Sequence, residues 1–261
     1  MTEWDFNRWQ TGPRVACIAC EVVCRELYHL AARSDNVVDF TMLSQGLHDI
    51  GCQKMSARLQ QEIDAIDADR YDTVVLAYAL CNNGIVGLTA PPGVTLVIPR
   101  AHDCISFLLG SKEAYRRWFD ENPDTYVLSV GWMERDLETR EDVGSDDTFK
   151  QLGMGLSYRE YADKYGEDNA QYLVETLGNG LKNYSGIAYV DMPFLGTLND
   201  RLAEQARVRA EEKGFGFRRI EGDLSLLEAL LEGPWDDQRF LVLQPGQSVR
   251  ACHDESIICT E

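Results

Sequence analysis

Positive charge is what this 261-residue chain has least of. Against 43 Asp and Glu stand only 25 Lys and Arg, a formal net charge of −18. A nucleic-acid backbone is bound by clustered cations that displace its counterions, so this balance excludes that class of partner. It equally disfavours adhesion to an anionic membrane surface. Long apolar runs are missing too: no window approaches the roughly 18–20 apolar residues of a membrane span. The opening stretch Met1–Gln10 carries Glu3, Asp5 and Arg8 and no apolar export core. A cytoplasmic protein with no membrane partner is the expectation. Three motifs are also absent: no GxGxxG opens a helix after a strand, no GxxxxGK[ST] phosphate loop occurs, and there is no GxSxG nucleophile elbow. Nicotinamide, ATP and serine-hydrolase chemistries therefore lose support. Neither low-complexity segments nor internal repeats appear.

What remains is an ordinary globular composition, 44% hydrophobic and 26% charged, long enough for one large domain or two smaller lobes. Arg14–Ala19, Val37–Leu43, Thr73–Leu80 and Thr95–Pro99 read as apolar strands, and Tyr126–Val130 as a fifth. Between them, helical spacing covers Glu21–Ala32, Asp49–Ile66 and Asp103–Phe119, the last ended by Asn122-Pro123. Almost wholly apolar strands alternating with helices indicate a parallel sheet covered on both faces. The stretch Glu134–Asp147 is acidic and reads as a linker, and Tyr158–Leu177 as a helix. The alternation then resumes with strands at Ile187–Met192, Phe217–Glu221 and Phe240–Leu243 and helices at Leu198–Lys213 and Leu224–Leu231. The fold class is α/β: either two Rossmann-like lobes or one extended, mostly parallel sheet with helices on both faces. The expected division is an N-terminal α/β lobe over residues 1–133, carrying the site, and a C-terminal helical and α/β lobe over 134–261.

Each of the first four strands stops on chemistry. Strand one ends at Cys20-Glu21, strand two at His48-Asp49, strand three at Cys81-Asn82-Asn83-Gly84 and strand four at His102-Asp103-Cys104. In an open parallel sheet the carboxyl ends of the strands face one crevice, so these groups are expected to converge. Cys sulfur and His nitrogen are the donors zinc prefers, and three protein ligands with an open position make a catalytic site. Cys81, His102 and Cys104 are the expected ligands. His48 would move a proton or complete the shell, and Cys20 would supply a fourth ligand or a substrate-facing thiol. Asp103 and Asp49 would orient the imidazoles beside them.

Each of these residues also has a plainer reading. A Cys on an apolar strand is a small buried hydrophobe, which is the reading preferred for Cys17; for Cys20 both readings stand. Cys17 and Cys20 make a CxxC, but redox versions of that motif sit at a helix N-terminus rather than within a strand. Cys24 and Cys52, on helices, read as core, and His29 as a surface or packing residue. Cys252 and Cys259, late in the sequence, are given no role, and His253, between strand-like fragments, shows no obvious partner. With no export signal, the eight cysteines read as reduced thiols, ligands or core residues rather than a disulfide framework. Asn82-Asn83-Gly84 is either a turn or a cradle of amides for a ligand. Arg100 either pairs with an anionic ligand group or offsets the negative charge. Trp132 is placed to roof the pocket. The strand-end pieces Asp191-Met192-Pro193, Gly222-Asp223 and Gln244-Pro245-Gly246 read as turns.

The strings ACEVVCRELYHLAAR, QGLHDIGCQKM, YALCNNGIVGL and IPRAHDCISFLLGSKEAYRRWFDENPDTYVLSVGW, with LGMGLSYREYADKYGEDNAQYL, IEGDL and VLQPGQ further on, resemble the DUF1638 family over nearly the whole chain. The resemblance implies a prokaryotic protein in the setting of corrinoid-dependent methyltransferase systems of anaerobes, with proteins of such systems as partners. It carries over no active residues. The expected function is a zinc-dependent protein of one-carbon metabolism, a methyltransferase or hydrolase that binds a small-molecule substrate at the Cys/His site. The alternatives are a carrier that holds a metal or a corrinoid without turnover, and a metal-free thiol enzyme using Cys81 or Cys104 with His102 as base. A homo-oligomer is compatible with any of these.

Overall fold

Apolar strands and amphipathic helices build two main sheets in the computed structural model, which describes residues 12–48, 50–81, 83–135, 159, 162, 166–167 and 184–261. Most of the expected acidic linker and of the helix at Tyr158–Leu177 lies outside the described residues, as do Asp49 and Asn82. The chain forms two compact units that interleave along the sequence. The first takes Met1–Gln45, Cys52–Tyr115 and Asp223–Glu261; the second takes Gly46–Gly51 and Arg116–Gly222. The units are thus not the consecutive lobes expected to meet at residue 133, because the last 39 positions return to the first unit.

In the first unit, β1 (Arg14–Cys20), β2 (Val37–Leu43), β3 (Thr73–Ala77) and β4 (Thr95–Pro99) run parallel, and β8 (Phe240–Leu243) closes the edge antiparallel to β4. The order is β2-β1-β3-β4-β8. Val15–Cys20 and Thr73–Ala77 are buried along their whole length, as a strand covered on both faces must be. Each fully buried Leu or Ile of this sheet, such as Ile18, Leu76 and Leu96, contributes roughly 2 kcal/mol. A 3-10 turn (Glu21–Val23) leads from β1 into α1 (Cys24–Ala31), and α2 (Cys52–Asp64) precedes β3. The chain steps from β1 to one side and back past it to β3. Right-handed crossovers then put α1 and α2 on opposite faces. Helix α7 (Ser225–Glu232) packs on β3, β4 and α1.

The single helix expected over Asp103–Phe119 is broken into α3 (Ile105–Leu108) and α4 (Lys112–Glu121). The break has a cause at Gly110, whose φ of +77° is open to glycine at no steric cost. A β-carbon there would lie 2.4 Å from the Asp223 carboxylate. The returning chain crosses at this point: Asp223 N–H donates to Leu108 O at 2.8 Å, and Ser225 Oγ to Gly110 O.

In the second unit β5 (Thr125–Leu128), β6 (Gly186–Asp191) and β7 (Gly216–Glu221) form a parallel sheet in the order β5-β6-β7. Short helix α5 (Val130–Glu134) follows β5. Helix α6 (Thr197–Lys213) lays Leu202, Ala203, Ala206 and Ala210 against Leu128, Ile187 and Tyr189. Buried Asn199 pins the end of β6 by accepting from Met192 N–H and the Tyr189 hydroxyl. Among the described residues no helix is long and apolar enough to cross a membrane.

A hairpin absent from the expected elements, β9 (Val249–Ala251) and β10 (Ile258–Thr260), ends the chain. Cys252 and Cys259 are joined there as a disulfide with Cα atoms 6.0 Å apart. This corrects the expectation that no cysteine is paired, since a hairpin brings together residues that a linear reading leaves apart.

Gly110→Ala is expected to lower stability by about 1–3 kcal/mol, from strained left-handed backbone and displacement of Asp223. Urea unfolding checks this; an unchanged midpoint contradicts the crossing described.

Candidate functional site

The strand order reverses between β1 and β3, and at such a point the loops leaving the carboxyl ends part to open a crevice. Cys20, the last residue of β1, is buried there. The Glu21 carboxylate that follows accepts from Gln45 N–H at 2.9 Å and the Ser44 hydroxyl at 3.1 Å, tying the ends of β1 and β2 together. Past β3 the chain runs through buried Tyr78 and Ala79 to Cys81. Two hydrogen bonds extend the β3–β4 ladder beyond the strands, from Leu80 N–H to Ala101 O at 2.9 Å and from Cys81 N–H to His102 O at 3.1 Å. The loops after β3 and β4 are thereby held side by side.

This brings thiols together. Burial drives the Tyr78 phenol pKa far above its usual range, and the fields of nearby Cys20 and Cys81 push the same way. Cys81 is half-buried as a residue, but burial of its sulfur is the largest cause holding that thiol well above its ordinary value. Cys104 and Cys20 push the same way, as does Asp103, against a lowering backbone hydrogen bond at Ala79. Cys81 also has a φ of +40° and Asn83 one of +63°. Left-handed backbone is uncommon for a residue with a side chain, and it clusters where function requires it. Gly84, hydrogen-bonded back to Leu80 and Cys81, lies so close to Met55 of α2 that a β-carbon would be 2.2 Å from its sulfur.

After β4, Asp103 caps α3 by accepting from Ile105 N–H at 2.9 Å. Burial raises its pKa, opposed by hydrogen bonds from Tyr115, Ile105 and Ser106 and by nearby His102. Two polar atoms at this rim, Gln45 Oε1 and Ser106 Oγ, are buried with no hydrogen-bond partner among the described residues. Such orphans are rare in native proteins and call for a polar partner.

The expected site residues divide as follows. Cys20 and Cys104 both lie near Cys81, and Cys20 and Cys81 near Tyr78. His102 adjoins them in sequence and lends its carbonyl to Cys81, but it is exposed. Among the described residues, Cys81, His102 and Cys104 do not have donor atoms all within 4.8 Å of one another. His48 stands on the 3-10 turn Gln45–His48, in the stretch Gly46–Gly51 that belongs to the second unit, as does Trp132. Asn83 and Gly84 form the turn after Cys81, and Asn82 lies outside the described residues. Arg100 turns away to the chain's end. It is buried, with Nε donating to Asp237 O (2.9 Å) and Phe240 O (3.2 Å), Nη1 to Ser256 O (3.1 Å) and Ile258 O, and Nη2 to Asp237 Oδ1 (2.8 Å). The guanidinium is a structural clamp, which corrects its assignment to a ligand's anionic group. Of the cysteines set aside, Cys17 is core as expected, its thiol pKa raised by burial. Cys52 is exposed at the start of α2, contrary to a core role. Tyr78 was overlooked: an aromatic inside an apolar run reads as core, and only its place three residues before Cys81 hinted otherwise.

A family model described as a protein of unknown function (DUF1638) matches residues 42–231. It covers Cys81, His102 and Cys104 but neither Cys20 nor the terminal hairpin. No curated protein and no solved structure matches the chain.

Two outcomes test this geometry. In the folded protein at pH 8, iodoacetamide is expected to label Cys52 at least about tenfold faster than Cys81, since alkylation follows exposed thiolate; equal rates by peptide mass spectrometry contradict the enclosure of Cys81. Arg100→Met should cost on the order of 3 kcal/mol, because the carbonyls of Phe240, Ser256 and Ile258 lose their donor; thermal unfolding checks it, and a stability loss below experimental error refutes the clamp.

Proposed function

The chain belongs to the DUF1638 family, and from that premise we propose that it holds a thiophilic metal ion, zinc by donor chemistry, at the carboxyl rim of the five-stranded sheet and binds a small substrate beside it. The observation that carries this reading is that three thiols leave three strand ends near one another, Cys20 and Cys104 both standing close enough to Cys81 to act on its thiol. The donor set suits zinc, which favours sulfur. Gln45 Oε1 and Ser106 Oγ, buried without partners at the same rim, support a polar guest. The sulfurs are further apart than in a closed tetrahedral shell, and ligation would draw Cys81 and Cys104 inward from half-buried loops while Cys20 stays fixed on its strand. His102, exposed and next to Asp103, would have to turn inward to complete the shell. Bound there, zinc would keep the thiols as thiolates at neutral pH and supply a sulfur nucleophile of the kind methyl transfer uses.

The chain's own residues would do the rest. Buried Tyr78 would line the site beside Cys20 and Cys81. The Leu80 and Cys81 amides fix the spacing of the two loops. Gly84, pressed on Met55, admits no side chain in the turn after Cys81. Metal-free thiol catalysis by Cys81 has less support, because the thiolate is the nucleophile and burial with neighbouring sulfurs holds this thiol protonated. A one-carbon setting, with corrinoid methyltransferase proteins as partners, fits a sulfur nucleophile and belongs to this proposal.

Metal analysis of reduced protein purified without oxygen is the test. The wild type should carry or take up zinc, and Cys81→Ser and Cys104→Ser should each lower affinity at that site by at least about tenfold. Unaltered uptake in both variants rejects the reading, and metal retained without turnover of any small thiol or methyl donor assigns the protein as a carrier.

A further inference from the structure

The terminal hairpin concentrates donor groups that the rim does not use. Cys252 and Cys259 stand on one face of the β9–β10 ladder: Cys259 pairs with Arg250, Cys252 lies two residues beyond Arg250, and Cys252 N–H donates to Ile257 O at 2.8 Å. The Asp254 carboxylate joins them, so that one donor atom from each of the three lies within 4.8 Å of the others. Both cysteines are half-buried and Asp254 is exposed, so solvent and small ions reach the group. Ser256 N–H donates to Asp254 Oδ1 at 2.8 Å and fixes that carboxylate in the turn.

The hairpin is also held rigidly from two sides. Arg100 donates to Ser256 O and Ile258 O, and Lys112 Nζ to Glu255 O at 2.7 Å. Ile257, buried and β-branched, sits at a φ of +65°, a conformation that persists only where its surroundings impose it. On the other side, Gly87 and Ala90 donate to Val249 O and Gln247 O, joining the segment after the Cys81 turn to the start of the hairpin.

We propose that Cys252, Asp254 and Cys259, with the two cysteines reduced, form a second metal site on the terminal hairpin that takes a thiophilic divalent cation of the zinc type. Two thiolates and a carboxylate, with a fourth position open to water, are a donor set zinc accepts. Tetrahedral Zn–S bonds of ~2.3 Å need sulfurs only ~3.8 Å apart, which Cα atoms 6.0 Å apart allow. Each thiol releases its proton to solvent as it binds, and the excess negative charge faces Arg250 across the ladder. The disulfide and the metal exclude each other. Oxidation by a small disulfide such as glutathione disulfide takes two electrons from the thiolates, forms the Cys252–Cys259 bond, yields two glutathione thiols from two protons and releases the cation. Because Arg100 and the 87–90 segment join the hairpin to the loops carrying Cys104 and Cys81, this site is placed to report thiol oxidation to the rim, yet it depends on none of the rim's ligands.

Cobalt(II) titration of the full chain reads the site directly, since thiolate ligation gives a charge-transfer band. Reduced wild type should bind one more thiolate-ligated equivalent than Cys252→Ser/Cys259→Ser, and Cys81→Ser/Cys104→Ser should retain that equivalent. Asp254→Asn, which leaves both thiols, should bind it at least about tenfold more weakly. Treating wild type with glutathione disulfide should release it without any substitution, which keeps the test open if the double variant fails to fold. The proposal is overturned if the hairpin variant binds as many equivalents as wild type, if reduced wild type binds none, or if oxidation that closes the disulfide leaves all bound cobalt in place. Loss of the rim equivalent alone sinks the rim reading and leaves this one standing.

Discussion

Parallel pairing is the constraint from which the first unit follows. Because β1, β3 and β4 share one direction, their last residues leave the sheet along the same edge. The ladder does not stop with the strands: Leu80 and Cys81 amides reach the Ala101 and His102 carbonyls and carry the pairing into the loops. Were β3 and β4 antiparallel, Cys81 and Cys104 would leave opposite ends of the sheet. The raised pKa values of Tyr78 and Cys81 follow from burial first and from that convergence second, since acidic groups that would each carry negative charge are gathered where water is scarce.

A chain with few cations uses one of them inside. Arg100 lies at the end of β4, and its planar fork bonds four carbonyls and one carboxylate from the last quarter of the sequence. No lysine could match that geometry, because a point charge on a flexible stem lacks the fixed donor directions. The cost of burying the guanidinium is offset by satisfying each donor, and the return is a terminal hairpin fixed to the sheet. The same clamp explains why Arg100, though adjacent to the His102-Asp103-Cys104 run, does not face it.

Much of the first unit was legible because burial on both faces leaves a plain mark. Thr73–Ala77 and Val15–Cys20 are continuous apolar runs of strand length, and the parallel rule sends their ends to one rim. That Cys20, Cys81 and Cys104 leave the sheet along one edge could be anticipated on that ground. Which way a loop side chain turns has no such mark. His102 and Arg100 sit two residues apart, yet one is exposed and the other buried, a difference set by whether distant carbonyls wait for a donor. The break at Gly110 was likewise invisible, since helical spacing runs through it and the reason for the break, Asp223, lies more than a hundred residues further on.

By itself the sequence determined the α/β class, the strands of the two main sheets, and the kinds of groups at their ends, because hydrophobic periodicity and turn chemistry are local properties. Only tertiary structure decided that the last 39 residues rejoin the first unit, that β8 pairs antiparallel, that Tyr78 stands with Cys20, and that Cys252 meets Cys259. Those outcomes rest on contacts between segments far apart in the chain, where the donor at one end and the acceptor at the other carry no signal until folding brings them within bonding distance.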